Sequence, residues 1–203
     1  VEVILANEIL IQDVDGSSLT QIRFFVTGSF SPVDPATDWT IGTPTDVVLT
    51  LTAVADTEAR QSTKVDLGAL RAARYEVFGC VDFTGETPTD GEVIEYYWAP
   101  STNTTQANGN VAGNSGADAD APGGALGSIT ITQFVKQCIF IGNLIIHDGA
   151  GGGGGVVQNG YVGTFSPPTR YGQLIVKNES GDVFEADDVE MHQVMNPIVD
   201  EVQ

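Results

Sequence analysis

The sequence predicts an all-β protein: an antiparallel β-sandwich, jelly-roll-like, with long loops and almost no helix. Three observations predict it. Apolar and polar residues alternate with period two through most apolar stretches, as they do when successive side chains point to opposite faces of a strand. Clusters of Gly, Pro, Asn, Asp and Ser punctuate those stretches at short intervals. No segment sustains a 3.6-residue apolar period over a long helix, and no repeat of fixed length suggests a solenoid or propeller. Composition agrees, with 24 glycines and only 17% charged residues, against a typical ~25%. A chain of 203 residues is long enough for one substantial core, and it reads as a single domain over 1–203.

"VEVILANEILIQDV" reads as one or two strands closed by a turn at Asp15–Ser18, and Thr20–Phe30 as the next strand. Ser31–Asp46, rich in Pro, Asp and Thr, reads as a long loop, and Val47–Ala55 as a half-buried strand. Around Leu67–Ala73, Ala, Leu and Arg suggest a helical turn, which Gly68 keeps short. Arg74–Phe83 and Glu92–Pro100 alternate again as strands around the turn "TGETPTDG". Ser101–Gly127 has no Lys, Arg or aromatic residue. It buries too little apolar area to offset its own ordering entropy, so it is predicted to be ordered only where a neighbour covers it. "IFIGNLIIHD" and "VVQNGYVGTF" flank the run Gly151–Gly155 and read as an antiparallel hairpin with a bare tip at 149–155. Two or three further strands follow, with a turn at Asn178–Asp182, for about eight to ten strands in all.

Charge excludes more than it identifies. Eight basic residues face 27 acidic ones, for a formal net charge of -19. Such a chain has no electrostatic means of holding phosphate backbones or anionic membrane surfaces, so neither nucleic acid nor membrane is an expected partner. The acidity suits a basic partner, or simply a solvated surface that resists aggregation. No stretch reaches the ~18 apolar residues of a transmembrane helix, and "VEVILANEIL" lacks the basic start of a signal peptide. A soluble protein made in a reducing cytoplasm is expected. Cys80 and Cys138 lie in apolar strand-like stretches without CxxC spacing. They read as small core residues, with a disulfide between paired strands as the alternative.

Catalytic patterns are missing. His147 and His192 have no nucleophile elbow near them in sequence and read as structural residues. Carboxylates abound, but the only dense aromatic cluster is Tyr96–Trp98. Alternation puts Tyr96 and Trp98 on one face and Tyr97 on the other. The plain reading is a core Trp; the sharper one makes Tyr96 and Trp98 a weak glycan-stacking platform, as in a carbohydrate-binding or hydrolytic β-sandwich. "DVDG" (Asp13–Gly16) and "ADADAPGG" (Ala117–Gly124) supply carboxylates for calcium but lack an EF-hand continuation. No catalytic residue, cofactor or metal site is predicted.

Three stretches carry a resemblance: "DGEVIEYYWAPSTNTTQANGN", "SPPTRYGQLIVKNESG" and the ending "NPIVDEVQ". Together they resemble small β-rich virion proteins of tailed bacteriophages, over roughly the second half of the chain. The resemblance implies a virion component, with capsid decoration (cement) proteins as the leading class and a tail, baseplate or fibre module as the alternative. Its implied partner is the major capsid protein, or tail proteins, of the same virion. A homo-oligomer, with a trimer at a local three-fold, is the implied assembly. Expected contact residues are Asn108 and Asn110 in the low-complexity loop; Gly151, Gly152, Gly153, Gly154 and Gly155 at the bare tip; and Pro197, Ile198, Val199 and Val202 in a terminal arm. Residues Asn196–Gln203 are accordingly expected to be dispensable for folding.

Overall fold

A computed structural model describes residues 20–26, 44–69, 71–124, 129–147, 157–187 and 190–198. Its elements in chain order are β1 (Ile22–Phe25), β2 (Thr45–Val48), β3 (Ala59–Gln61), β4 (Val65–Asp66), β5 (Arg74–Val81), β6 (Val93–Ser101), a 3-10 turn (Val111–Gly113), β7 (Ala119–Asp120), α1 (Ile131–Val135), β8 (Ile139–Ile145), β9 (Gln158–Phe165), β10 (Tyr171–Glu179) and β11 (His192–Ile198).

Antiparallel pairs nest inside one another along the chain. β1 pairs with β11, β3 with β10, β5 with β9 and β6 with β8. Successive pairs of this long ribbon fall alternately into two sheets, ordered β2-β1-β11-β5-β9 and β7-β3-β10-β6-β8. Such a wrapped antiparallel ribbon is a jelly roll. β2 lies outside the nest, parallel to β1 at the edge of the first sheet, and β4 extends the β10 ladder beside β3.

The core between the sheets follows from alternation. On β6, Ile94, Tyr96 and Trp98 point inward and are fully buried, while Val93, Glu95 and Tyr97 point outward. Trp98 meets Phe165 at 5.4 Å between ring centroids, and Phe83 meets Phe184 edge-on at 5.4 Å. A second, smaller apolar cluster sits on the outer face of the second sheet, where Ala59, Ala99, Ala121, Phe134 and Ile175 are buried. α1 helps cover it. This helix is one turn and a half long, starts with a reciprocal capping box between Thr130 and Gln133, and buries Phe134.

Several predicted elements are corrected. Val47–Ala55 is strand only to Val48; the left-handed backbone of Ala53 (φ 52°) ends any continuation. The described residues around Leu67–Ala73 form no helix, because this segment feeds directly from β4 into β5. The stretch after Ile129 opens with α1 before becoming strand. Both cysteines are free thiols, Cys80 buried and Cys138 half-buried, so no disulfide joins them.

The predicted hairpin is corrected as well. β8 and β9 run side by side and antiparallel, but each is hydrogen-bonded into a different sheet. They meet at a seam that closes one side of the sandwich. A Cβ on Gly142 would lie 2.0 Å from the Val162 carbonyl oxygen, and one on Gly163 would lie 2.4 Å from that of Ile141. Both ladders shift register here, so Ile141 and Val162 are extra residues that turn inward and are buried. Farther along, the Gln158 side-chain amide donates to the His147 carbonyl at 3.0 Å and accepts from its N–H at 3.3 Å.

The predicted terminal arm is likewise corrected. Pro197 is buried and Ile198 half-buried, both within β11, whose neighbours are β1 and β5. Proline is tolerated there because the β1 ladder stops at Met195, leaving partners on one side only. Asn196 accepts from the buried Gln21 amide at 2.8 Å. Val199, Val202 and Gly151–Gly155 lie outside the described residues.

Two expectations follow. Gly142→Ala drives a methyl into backbone and is expected to lower the unfolding free energy in urea by about 1–3 kcal/mol. Gly160→Ala, whose Cβ would meet only Leu144 Cδ1 at 3.5 Å, is expected to leave it unchanged or raise it by about 0.5 kcal/mol. A chain ending at Met195 loses the last β11 rungs and the Gln21–Asn196 bond, and is expected to melt at a markedly lower temperature than the full chain.

Candidate partner-contact surface

The polar stretch after β6 is ordered by its own chain. Lys64 reaches into it and donates from Nζ to the carbonyls of Asn103, Thr105 and Asn108 at 3.0, 2.7 and 2.8 Å. Its backbone N–H donates to the Gly116 carbonyl. One residue thus ties both halves of the loop to the link between β3 and β4. Asn110 bridges to Ser101 and donates from Nδ2 to the Gln106 and Asn114 carbonyls at 2.8 and 2.6 Å. Asn114 is buried and donates to Gln173 on β10. Farther on, Asp118 accepts from Thr50 and Arg60, and Asp120 from Arg60.

One expectation is revised here. The stretch needs no outside neighbour over its described residues 101–124, because main-chain carbonyls held by an ammonium supply what apolar area does not. Asp118 and Asp120, candidates for calcium, are engaged by an arginine instead. Asn108 stays exposed, with its carbonyl given to Lys64, while Asn110 is a half-buried staple of the loop. "DVDG" lies outside the described residues.

The plain reading of a core Trp holds, and the glycan-platform alternative fails at the named residues. Tyr96 and Trp98 are both 0% exposed. Their shared face is the interior one, and Tyr96 spends its hydroxyl on Gln193 of β11 at 2.7 Å. Burial pushes the Tyr96 phenol well above its ordinary pKa.

Exposed apolar side chains gather instead on the seam strands. Phe140 is 52% exposed, Ile145 64% and Tyr161 55%. Phe140 stacks edge-on against Tyr97, its β6 register partner, at 5.3 Å, and Tyr161 against Phe78, its β5 partner, at 5.6 Å. The sequence carries a signal for them. Phe140-Ile141-Gly142-Asn143 and Tyr161-Val162-Gly163-Thr164 repeat one pattern of aromatic, β-branched, glycine and polar residue. In each copy the aromatic faces out, the β-branched residue bulges in, and the glycine admits the opposite backbone.

Several cations pair with neighbouring carboxylates. Arg23 pairs with Asp46 at 2.6 Å, Arg60 with Asp118 and Asp120, Arg170 with Asp66 at 2.6 Å, and Lys177 with Glu95 and Glu179. Lys64 is committed to the loop. The Arg170 guanidinium, with help from the Gly68 N–H and against desolvation, holds Asp66 below its ordinary 3.8. Backbone N–H groups of Thr87 and Val183 do the same for Asp182. Burial pushes the Cys138 thiol up to about 12, far from a reactive thiolate. Among the described residues no three His, Cys, Asp or Glu side chains are placed to share a metal ion, and no helix is long and apolar enough to cross a membrane. The chain matches no family model, and neither curated proteins nor solved structures show a significant similarity to it.

Lys64→Met is expected to destabilise the protein by about 1–2 kcal/mol and to make the 101–124 segment the first site cut in limited proteolysis. Asp66 gives a pH signature. A carboxylate whose folded pKa lies below its unfolded value stabilises the fold above the unfolded value, and loses that contribution as pH falls through the folded one. Asp66→Asn is therefore expected to flatten the acid limb of the stability curve below about pH 4, measured by urea unfolding across pH.

Proposed function

We propose that this chain is a non-enzymatic structural protein of a tailed-bacteriophage virion, a capsid decoration protein that binds the outside of the head and stabilises subunit junctions. The observation that carries the reading is how the charge is arranged. Of eight basic residues, four sit in ion pairs and Lys64 is clamped by carbonyls, while 27 acidic residues outnumber them more than threefold. A partner must then bring the positive charge, as a lattice of basic patches would, and long-range attraction speeds its capture.

Fold and motifs support the same reading by analogy. Jelly rolls serve in viral capsid and lectin domains, although fold alone does not imply function. The strand Tyr171–Glu179 and its turn carry the phage-like pattern, and they form the central β10 of the second sheet. Contacts are proposed at the loop bearing Asn108 and along the exposed seam residues Phe140 and Tyr161, with a homotrimer as the working assembly.

Immunogold labelling of intact particles with an antibody against this chain is expected to cover the head evenly, at hundreds of copies per particle by quantitative mass spectrometry (an order-of-magnitude figure for roughly one site per lattice junction). Rebinding to stripped heads is expected to weaken as salt rises from about 0.05 to 0.5 M. Labelling at one pole would move the protein to the tail or baseplate. Absence of the chain from purified particles would overturn the virion assignment.

A further inference from the structure

We propose that the outer face of the second sheet, where β8, β6 and β10 lie side by side, is a binding platform for a neutral polysaccharide. The proposal goes beyond capsid decoration and does not depend on it. Register places three outward rows across these strands: Phe140, Tyr97 and Ile175; Asn143, Glu95 and Lys177; Ile145, Val93 and Glu179. Ile175 is buried under the α1 cluster, which bounds the face on that side. Phe140, Asn143 and Ile145 are exposed.

The first two rows supply what sugar recognition uses. Sugar rings offer C–H faces to aromatic side chains and hydroxyls to polar ones. Phe140 is an open aromatic whose position is fixed by its edge-on contact with Tyr97. Beside it, Glu95 is held rigid, its Oε2 accepting from the Tyr97 hydroxyl at 2.9 Å and from Lys177 Nζ at 3.1 Å. Its Oε1 and the whole Asn143 amide engage no described residue. A fixed acceptor and a free amide, which both donates and accepts, therefore stand next to the aromatic. From Tyr97 to Val93 the face runs about 13 Å along the strand, room for a short run of sugar rings on a surface that is already ordered.

Charge selects among glycans. Lys177 is the cation of this face and is already balanced by Glu95 and Glu179. With a net charge of -19 on the chain, uronic, sialylated or sulfated chains are repelled, whereas neutral hydroxyls need no counter-charge.

The test is affinity electrophoresis of the full chain through gels containing a β-glucan, a galactomannan or a neutral bacterial O-polysaccharide, with heparin as the anionic comparison. At least one neutral polymer is expected to retard the protein, and heparin is not. Asn143→Ala and Phe140→Ala are each expected to weaken retention by about tenfold, the loss of roughly one good contact, at unchanged melting temperature. Tyr161→Ala, an equally exposed aromatic on the other sheet, is expected to bind as the wild type. No retardation by any neutral polymer, retardation by heparin alone, or equal loss in Tyr161→Ala would each overturn the proposal. If Phe140→Ala does not fold, the exposed Asn143→Ala decides. None of these outcomes bears on whether the chain is found on virion heads.

Discussion

The approach of two backbones at Gly142 and Gly163 is the constraint on which this sandwich depends. Two sheets of twisted strands ordinarily stand about 10 Å apart, held off by side chains. At the β8–β9 seam they come together until carbonyl oxygens occupy the space of a Cβ. That contact is available only if the residue before each glycine bulges inward, and Ile141 and Val162 both do. Closing the seam in this way protects two edge strands that would otherwise offer unpaired backbone to other chains. The same geometry pushes Phe140 and Tyr161 outward, so the closure of the core and the exposure of the aromatics have one cause.

Polar order plays the matching role on the opposite flank. The segment after β6 has almost no apolar content, yet Lys64, Asn110, Asn114 and Arg60 give its backbone and carboxylates defined partners. With so few cations in the chain, committing Lys64 and Arg60 to these contacts fixes the loop.

Local signals were legible in the sequence and distant ones were not. Alternation correctly separated Tyr97 from Tyr96 and Trp98, because the side-chain period of a strand is a local property. The plain reading of a core Trp on that face holds, and its burial removes the platform alternative. α1 spans five residues, too few to set up a helical period, although the Thr130–Gln133 capping box was written in the sequence. The order of the 101–124 stretch rests on Lys64, about 40 positions away, beyond the reach of any composition window. The terminal arm was implied by the resemblance of the ending and not by strand chemistry; Pro197 falls in β11 where one neighbouring ladder has already ended.

Nesting of the strand pairs also has a kinetic side. β6 and β8 enclose the shortest stretch of the four pairs, while β1 and β11 join residues as far apart as Ile22 and Met195. Closing a long loop directly costs more entropy than closing it after the inner pairs have shortened it. Assembly is therefore favoured from the β6–β8 fold outward, each pair drawing the next together, and it finishes only when β11 slots between β1 and β5. Until then β1 and β5 lack their common neighbour and the interior stays open on that side. Folding of so non-local a topology is intrinsically slow, and a strongly negative chain that repels its own copies gains time to complete it before sticky edges meet.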